Sequence, residues 1–329
     1  MSVKRVGMAT LVVLAVALMG VGSPASAQKR NLAMGSTQTS SSHYSYFVGA
    51  AKAINQLVPE LNVTVVETGA TVDNLKRMQK GQLDMGLVTA DQVYLAFKGQ
   101  DTWKDAPFEA VRHLWCYSVS ANFVAVREET GIKSVSELTG KKLNPGIRGS
   151  SVEKQTELVF TILGIKPEYQ RMGTADAVDA MKDKRIVGIS KSGIGFALDA
   201  SMMDVATQTP LRVLPFSEED MKKVKGVRPY LPWIKVPAGS IKGMGEFWTT
   251  ASLVFVAGTK AMPAEVAYKI VKAIWEGQEY QPQAVMAAAF RNPRATIEHA
   301  ISPLHAGAIR YYREIGIKVP DELVPPEAK

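Results

Sequence analysis

The chain of 329 residues contains a single cysteine, Cys116, and only four histidines. An intramolecular disulfide is therefore excluded, even though an extracytoplasmic compartment would permit one. The neighbours of Cys116 are Leu114, Trp115 and Tyr117, a setting typical of a buried packing residue. The histidines show no metal-ligand spacing with each other or with Cys116, so the sequence predicts no metal site, and no motif indicates a cofactor.

Long apolar stretches and runs of basic residues are also lacking after residue 27. Even the apolar stretch from Ala251 to Ala257 has only the length of a strand, so no membrane-spanning helix is predicted there. The formal net charge is +8, but the lysines and arginines are scattered. Without a basic run that could follow a phosphate backbone, nucleic-acid binding is not expected.

The first 27 residues have the pattern of a secretory signal. Two basic residues precede an apolar run from Met8 to Val21, and small residues from Ser23 to Ala27 follow. This order is typical of a signal peptide that is cleaved between Ala27 and Gln28. The alternative is an uncleaved anchor, for which the apolar run is short. The sequence therefore predicts a periplasmic protein.

Three short apolar strands are predicted in the first hundred residues, at Asn31 to Met34, Val63 to Val66 and Met85 to Val88. Each ends in small or hydroxyl-bearing residues, and the first two lead directly into segments with helical periodicity. This alternation predicts a doubly wound α/β sheet. Helix amino-termini would then lie at the carboxyl edge of the sheet, an arrangement that favours a small anionic or zwitterionic ligand.

The candidate ligand-binding residues of this region follow the three strands. Hydroxyl groups after the first strand could bind a carboxylate, or one could only cap the helix, and Tyr44 could line the pocket or belong to the core. Gly69 would let the backbone approach a ligand, and Thr71 is predicted to cap the next helix. Asp91 could bind a ligand ammonium group or only complement the helix dipole. The candidates are Ser36, Thr37, Ser40, Ser41, Ser42, Tyr44, Thr68, Gly69, Thr71, Thr89 and Asp91.

A similar strand-to-helix loop recurs later in the chain, where Arg148, Ser150 and Ser151 precede a helical segment. A further strand is predicted from Arg185 to Ile189, with Lys191 in the loop at its end. Arg148 and Lys191 are the cations best placed to meet a carboxylate, one as a bidentate fork and the other as a point charge, although either could be solvated at the surface. If both faced inward, the ligand would carry more than one acidic group. The two serines would complete an anion seat.

Two long apolar strands, near residues 118–126 and 249–257, are predicted to cross between two lobes. The first lobe would comprise residues 28–120 and 250–329, including a helix predicted from Gln283 to Phe290. The second would comprise residues 121–249. Ligand sites favour such interlobe clefts, and closure about the two strands would enclose a ligand.

Five segments in the same order, which span nearly all of the chain after residue 27, carry a resemblance to a known family. They are Glu67 to Leu75, Asp84 to Asp91, Gly140 to Gly146, Pro237 to Ser240 and Pro303 to Glu314. With them the chain resembles the TAXI family of solute-binding proteins, the receptors of one class of TRAP (tripartite ATP-independent periplasmic) transporters.

The resemblance implies a two-lobed periplasmic-binding-protein fold, type II-like, with a doubly wound sheet in each lobe. It also implies a binding protein rather than an enzyme, which delivers a small organic anion or amino acid to TRAP-type membrane permease subunits. A monomer is expected. Two departures from the family pattern, Gln38 to Tyr44 and Ile189 to Lys191, fall on predicted pocket walls, so the resemblance does not identify the ligand.

Two other functions remain as alternatives. Ser151-x-x-Lys154 and Lys191-Ser192-Gly193 look like elements of penicillin-recognising serine enzymes, but Ser120-Ala121-Asn122, the only counterpart of their third element, comes before Ser151 rather than between the two. A receptor of the same fold could instead present its ligand to a signalling protein. The sequence does not separate such sensing from transport.

Overall fold

The computed structural model describes residues 29–280 and 292–329. The predicted signal peptide, residues 1–27, and the helix predicted from Gln283 to Phe290 lie outside the described residues. Among the helices of the described part, none combines the length and the apolar character needed to cross a membrane.

The first part of the chain alternates strands and helices, as the sequence predicts. The elements are β1 (Arg30–Gly35), α1 (Ser42–Leu57), β2 (Leu61–Val66), α2 (Thr71–Gln79), β3 (Met85–Thr89) and α3 (Ala90–Lys98). β1 lies between β2 and β3 and pairs in parallel with both. The carboxyl ends of the three strands therefore meet at one edge of the sheet.

Local sequence explains the start of α1 but not that of α2. The Ser41 hydroxyl caps α1 by accepting a hydrogen bond from the His43 N–H. α2 follows Ala70, which has a φ of 72° and no capping side chain. Its first N–H groups, those of Val72 and Asp73, are satisfied by the carbonyl of Gly149. The prediction that Thr71 caps α2 is therefore wrong, because a distant backbone carbonyl supplies the cap.

A long strand, β4 (Val111–Arg127), leads into a second group of elements. These are β5 (Lys142–Asn144), α4 (Ser151–Leu163), β6 (Glu168–Tyr169), α5 (Thr174–Lys182), β7 (Gly188–Ser192), α6 (Ala200–Gln208), β8 (Leu211–Leu214), α7 (Glu218–Val227) and β9 (Trp233–Val236). The remaining elements are β10 (Phe247–Thr259), α8 (Ala264–Glu276), α9 (Arg294–His299) and α10 (Ala306–Glu314).

The strand predicted from Arg185 to Ile189 is shifted in the structure, where β7 covers Gly188–Ser192. The chain is still turning at Lys184, which has a φ of 61°, and β7 begins where pairing with β4 starts at Gly188. Lys191 therefore lies on a strand, paired opposite Phe123, and not in a loop.

The strands β4 and β10 run through the whole molecule. β10 pairs antiparallel with β3 on one side and with β4 on the other. Further along, β4 pairs with β7 and β8, while β10 pairs with β9. The resulting mixed sheet has the order β2-β1-β3-β10-β4-β7-β5-β6.

The apolar residues form separate cores on the two sides of the crossing strands. Two clusters unite β1, β2 and β3 with the first three helices and the C-terminal helices, with Ile194 as the one member from the second group of elements. Two others lie entirely within residues 121–247. The protein is thus a two-lobed α/β fold, with the elements before β4 and after β10 in the first lobe and those between them in the second. Cys116 is fully buried in the first lobe, as predicted.

Candidate functional site

A cavity lies between the two lobes at the carboxyl edge of β1, β2 and β3. The volume open to the centre of a water-sized sphere is about 40 Å³. Its lining comes from both lobes and consists of hydroxyl-bearing and aliphatic residues with one lysine and one histidine. The lining residues are Thr37, Ser41, His43, Ala70, Thr71, Leu87, Thr89, Ile147, Ser150, Ser151, Val152, Ser190, Lys191, Ser192, Ser252 and Val254.

Seven of the residues predicted from the sequence line this cavity. Four come from the first lobe and three from the second. They are Thr37, Ser41, Thr71, Thr89, Ser150, Ser151 and Lys191. They lie at or just before the starts of α1, α2, α3 and α4 and on β7. The partial positive charges of four helix amino-termini are therefore directed toward the cavity.

Three of the lining hydroxyl groups are buried and have no hydrogen-bond partner among residues 29–280 and 292–329. They belong to Thr71 and Thr89 of the first lobe and to Ser190 of the second. Their residues are only 1–2% exposed. Since a buried polar group without a partner is costly, three of them around one cavity indicate a place where a polar ligand would satisfy them.

Lys191 is the one charged residue among the lining residues that the structure describes apart from the titratable His43. Its ammonium lies 3.8 Å from Oδ1 of Asp199 and 3.5 Å from the Thr174 hydroxyl. Burial raises the pKa of the Asp199 carboxyl, but the Lys191 ammonium and the hydrogen bonds from Ser201 lower it by more, so its pKa is below the ordinary value. Asp199 is therefore ionised and Lys191 has a buried counterion.

His43 is held neutral beside this pair. Its Nδ1 lies 2.8 Å from the Tyr117 hydroxyl and its Nε2 lies 3.0 Å from the Gly193 carbonyl. Because a carbonyl can only accept, Nε2 donates and Nδ1 accepts from Tyr117. Burial lowers the pKa of His43 to about 4; Asp199 opposes this effect and Lys191 adds to it.

Asp199 also joins the two lobes. It caps α6 by accepting from the Ser201 N–H, while its Oδ2 accepts from the Ser42 N–H at 2.9 Å and from the Ser41 hydroxyl at 3.1 Å. In return the Ser42 hydroxyl accepts from the Ala200 N–H at 3.0 Å. The N-termini of α1 and α6 thus cap each other across the cleft.

Two further caps cross between the lobes. The Gly149 carbonyl of the second lobe accepts from the start of α2 at 2.8 Å. The Gln38 side chain of the first lobe accepts from the N–H of Thr174 at the start of α5. Four helix starts, those of α1, α2, α5 and α6, are therefore fully capped only when the lobes are together.

The other predicted residues do not line the cavity. Ser40 and Arg148 are exposed, and Tyr44 is half-buried. Ser42 forms hydrogen bonds with Asp199 and Ala200 at the start of α6. Ser36 is fully buried, and the Thr68 hydroxyl donates to its carbonyl. The residues outside the lining are Ser36, Ser40, Ser42, Tyr44, Thr68, Gly69, Asp91 and Arg148.

Arg148 does not meet Lys191 in one anion seat. Its neighbours Ile147 and Ser150 line the cavity, but Arg148 lies with Thr68 and Gly69 along an open groove on the outer side of Ile147. Glycines with positive φ on either side, Gly146 and Gly149, turn the loop in this direction. The expectation of two inward cations is therefore not met in this structure.

Asp91 is buried in a polar network beside the crossing strands. Its Oδ2 accepts from the side chains of Gln92 and Gln155. Gln155 in turn accepts from Asn122 of β4, which accepts from Ser252 of β10. The carboxylate thus connects α3 of the first lobe with α4 of the second.

Sequence reasoning missed four polar residues of the lining: His43, Ser190, Ser192 and Ser252. Ser252 carried a usable signal, because it is a polar residue next to the apolar run Leu253 to Ala257 of a predicted strand. Ser190 and Ser192 became lining residues through the shift of β7, which local sequence does not show.

The Ser-x-x-Lys pattern does not form a catalytic pair here. Ser151 lines the cavity, but Lys154 does not, and its ammonium lies 3.8 Å from Oε2 of Glu157. A lysine that activates a serine must lie within hydrogen-bond reach of the hydroxyl.

Several solved structures have a similar fold. A protein from Bordetella bronchiseptica RB50 aligns over 91% of this chain and 94% of its own, with 16% identity and a TM-score of 0.53. A structure described as a periplasmic transporter aligns over 88% and 98%, with 14% identity and a TM-score of 0.53. A Streptococcus mutans structure from work on glutathione import aligns over 82% and 100%, with 8% identity and a TM-score of 0.51.

At these identities the structures show a shared fold and nothing finer. A match of the sequence itself is more specific, and it covers residues 34–316, which include every residue that lines the cavity. The chain belongs to the NMT1-like family.

Proposed function

We propose that this protein is a periplasmic solute-binding protein that captures a small organic anion, a carboxylate or amino acid, between its lobes and delivers it to a membrane permease. The observation that carries the proposal is the set of three buried, unpartnered hydroxyl groups, from both lobes, around one cavity beside Lys191. No catalytic step is proposed. The groups around the cavity are suited to binding, and Lys154 pairs with Glu157 rather than with Ser151.

The mechanism is closure of two lobes around the ligand. The open form would expose the cavity, and the closed form would be stabilised by ligand contacts to Thr71 and Thr89 on one side and to Ser190 and Lys191 on the other. A ligand shifts this equilibrium only by its higher affinity for the closed form. The reciprocal caps of α1 and α6 stabilise the closed form to the same extent with and without a ligand. The ligand contacts supply the remaining stabilisation. We place the lobe boundaries within β4 and β10, near residues 120 and 250.

Delivery to a TRAP-type permease rests on the resemblance of five sequence segments to TAXI receptors. The protein would then be monomeric in the periplasm after removal of residues 1–27, and only its closed form would dock. The alternative is a receptor that presents the closed form to a signalling protein. A neighbouring gene for a membrane permease would support transport, whereas a neighbouring sensor kinase gene would support sensing.

A thermal-shift screen tests solute binding. The protein without residues 1–27 is heated with small carboxylates, amino acids and sulfonates, each at millimolar concentration. A compound that binds the native state raises the melting temperature, and a hundredfold excess over the dissociation constant contributes about 2.7 kcal/mol. A Thr71→Val, Ser190→Ala double variant should lose the shift. No shift with any of these classes would contradict the proposal.

A further inference from the structure

The charges around the cavity limit the ligand's own charge. No aspartate or glutamate lines the cavity in the part of the chain that the structure describes. Lys191 supplies one positive charge, and Asp199 already accompanies it. A ligand ammonium would meet Lys191 and four helix amino-termini, which disfavour a second cation.

The nearby carboxylates are not available to an ammonium group. Asp199 accepts from Ser41, Ser42 and Ser201 in addition to its contact with Lys191. The Oδ2 of Asp91 accepts from two glutamine side chains. Its Oδ1 has no partner among the described residues, but Asp91 lies outside the cavity lining, so a ligand in the cavity does not contact it. An amino acid would therefore leave its ammonium group without a partner, which is costly in a closed site.

The hydrogen-bond donors around the cavity are sufficient to bind one carboxylate group of a ligand. Ser151 and Val152, the first residues of α4, have backbone N–H groups that lack intrahelical acceptors, and both residues line the cavity. The unpartnered hydroxyl groups of Thr71, Thr89 and Ser190 face the same space. The second carboxylate of a diacid would have to share these donors, because Arg148 lies outside the cavity.

The remaining lining and the volume set the size and character of the rest of the ligand. Aliphatic side chains from both lobes, among them Leu87, Val152 and Val254, cover the other part of the cavity. The space open to the centre of a water-sized sphere is about 40 Å³, so the solute itself occupies a larger volume, but the cavity encloses only a small ligand.

We infer that the ligand is a short aliphatic monocarboxylate without an ammonium group, such as a 2-hydroxy or 2-oxo acid. This inference rests on the proposed function and narrows its ligand class. It places the carboxylate at the start of α4 between Ser190 and Lys191, and the aliphatic end against Leu87 and Val254.

Matched pairs of acids test the inference by calorimetry on the protein without residues 1–27. Lactate is compared with alanine, and 2-hydroxybutyrate with 2-aminobutyrate, so that only the hydroxyl and ammonium groups are exchanged. Malate tests the second carboxylate. The expected result is that a hydroxy acid binds at least about tenfold more tightly than its amino counterpart and than malate. Equal or tighter binding of an amino acid or of malate would overturn the inference but leave solute binding intact.

Absence of binding by all five probes would also overturn the inference, and the thermal-shift screen then decides the proposed function. If that screen finds a larger carboxylate or another amino acid, the proposed function stands. A sulfonate would leave solute binding intact but contradict the carboxylate or amino acid class. If the screen finds nothing, both fail.

Two variants test whether the ligand carboxylate binds beside Ser190 and Lys191. Ser190→Ala should weaken binding of the hydroxy acid about ten- to a hundredfold, since it removes one hydrogen bond to a charged group. Lys191→Met should weaken it further, and Lys154→Met, a lysine outside the lining, should leave it unchanged. If Lys191→Met fails to fold because Asp199 is left unpaired, Ser190→Ala still tests the position of the ligand carboxylate. Unchanged affinity in Ser190→Ala would contradict the placement.

Discussion

The Asp199 carboxylate accepts the backbone N–H of Ser42 at 2.9 Å from the opposite lobe. The same side chain caps its own helix, α6, and lies beside Lys191 of the cavity wall. One residue thus connects lobe closure, a helix cap and the charge of the binding site.

Asp199→Asn should strongly destabilise the protein. Each carboxylate oxygen accepts two hydrogen bonds, one pair from Ser41 and Ser42 and the other from Ser201. An amide has only one oxygen, so one pair is lost and Lys191 loses its counterion. Loss of one partner of a buried pair costs about 3 kcal/mol, which urea unfolding would measure.

Asp204→Asn on the same helix is the control for Asp199→Asn. Its carboxylate is 55% exposed and pairs with Lys182, so less than about 1 kcal/mol should be lost. Equal unfolding free energies for the two variants would contradict the role of Asp199.

The free energy of unfolding should fall as the pH is lowered from about 6.5 toward 4. In the folded state burial lowers the pKa of His43 to about 4, whereas the unfolded chain titrates near 6.5. In this window the unfolded state binds the additional proton, so stability is complete above pH 6.5 and is lost on acidification. The slope from one histidine is up to about 1.4 kcal/mol per pH unit.

His43→Gln keeps a donor and an acceptor but removes this titration. His113, whose pKa burial lowers to about 3, contributes a slope of its own and remains in the variant. Urea unfolding at pH 5, 6 and 7 should therefore show a reduced but nonzero slope for His43→Gln. A slope equal to that of the unsubstituted protein would contradict the neutral state of His43.

Gly69→Ala should hold the lobes apart. A Cβ at this position would lie 2.7 Å from the Arg148 carbonyl oxygen of the second lobe, a backbone atom that cannot rotate away. We expect a larger radius of gyration in small-angle scattering, and weaker binding of any solute that shifts the melting temperature. In Gly245→Ala the added Cβ would meet no heavy atom within 4 Å, so this variant should scatter like the unsubstituted protein. A compact Gly69→Ala protein would refute the close approach.

Ser190→Ala should leave the stability of the solute-free protein nearly unchanged. Its hydroxyl has no hydrogen-bond partner among the described residues, so its removal breaks no bond within the protein, and the free energy of unfolding should change by less than about 0.5 kcal/mol. Ser201→Ala is the matched comparison, because the Ser201 hydroxyl donates to Asp199 at 2.6 Å, and it should cost about 2 kcal/mol. Urea unfolding at pH 7 measures both. A destabilised Ser190→Ala protein would show that this hydroxyl is already satisfied.

Local patterns were sufficient for most of the described elements, β7 excepted, and for much of the cavity wall. Apolar runs of strand length and Ser or Thr at helix starts placed Thr37, Ser41 and Thr71 at one edge of the first-lobe sheet, because parallel strands end together. The same pattern placed Ser151 at the corresponding loop of the second lobe. The sequence did not reveal which way a loop between glycines turns, so Arg148 was expected in the cavity and lies outside it.

Contacts between distant segments account for the other differences. The start of α2 is capped by Gly149, nearly eighty positions away in the chain, and β7 takes its register from β4. Asp199 appears in the sequence as an ordinary acid before a helix. Its connection to Ser42 exists only after both lobes have formed.

The single, fully buried thiol of Cys116 makes the molecule convenient for spectroscopy. A cysteine introduced at an exposed site on each lobe would react with a fluorescent maleimide in the native state, while the native thiol would remain protected. Donor and acceptor dyes attached in this way would report the opening and closing of single molecules without any prior removal of a natural cysteine.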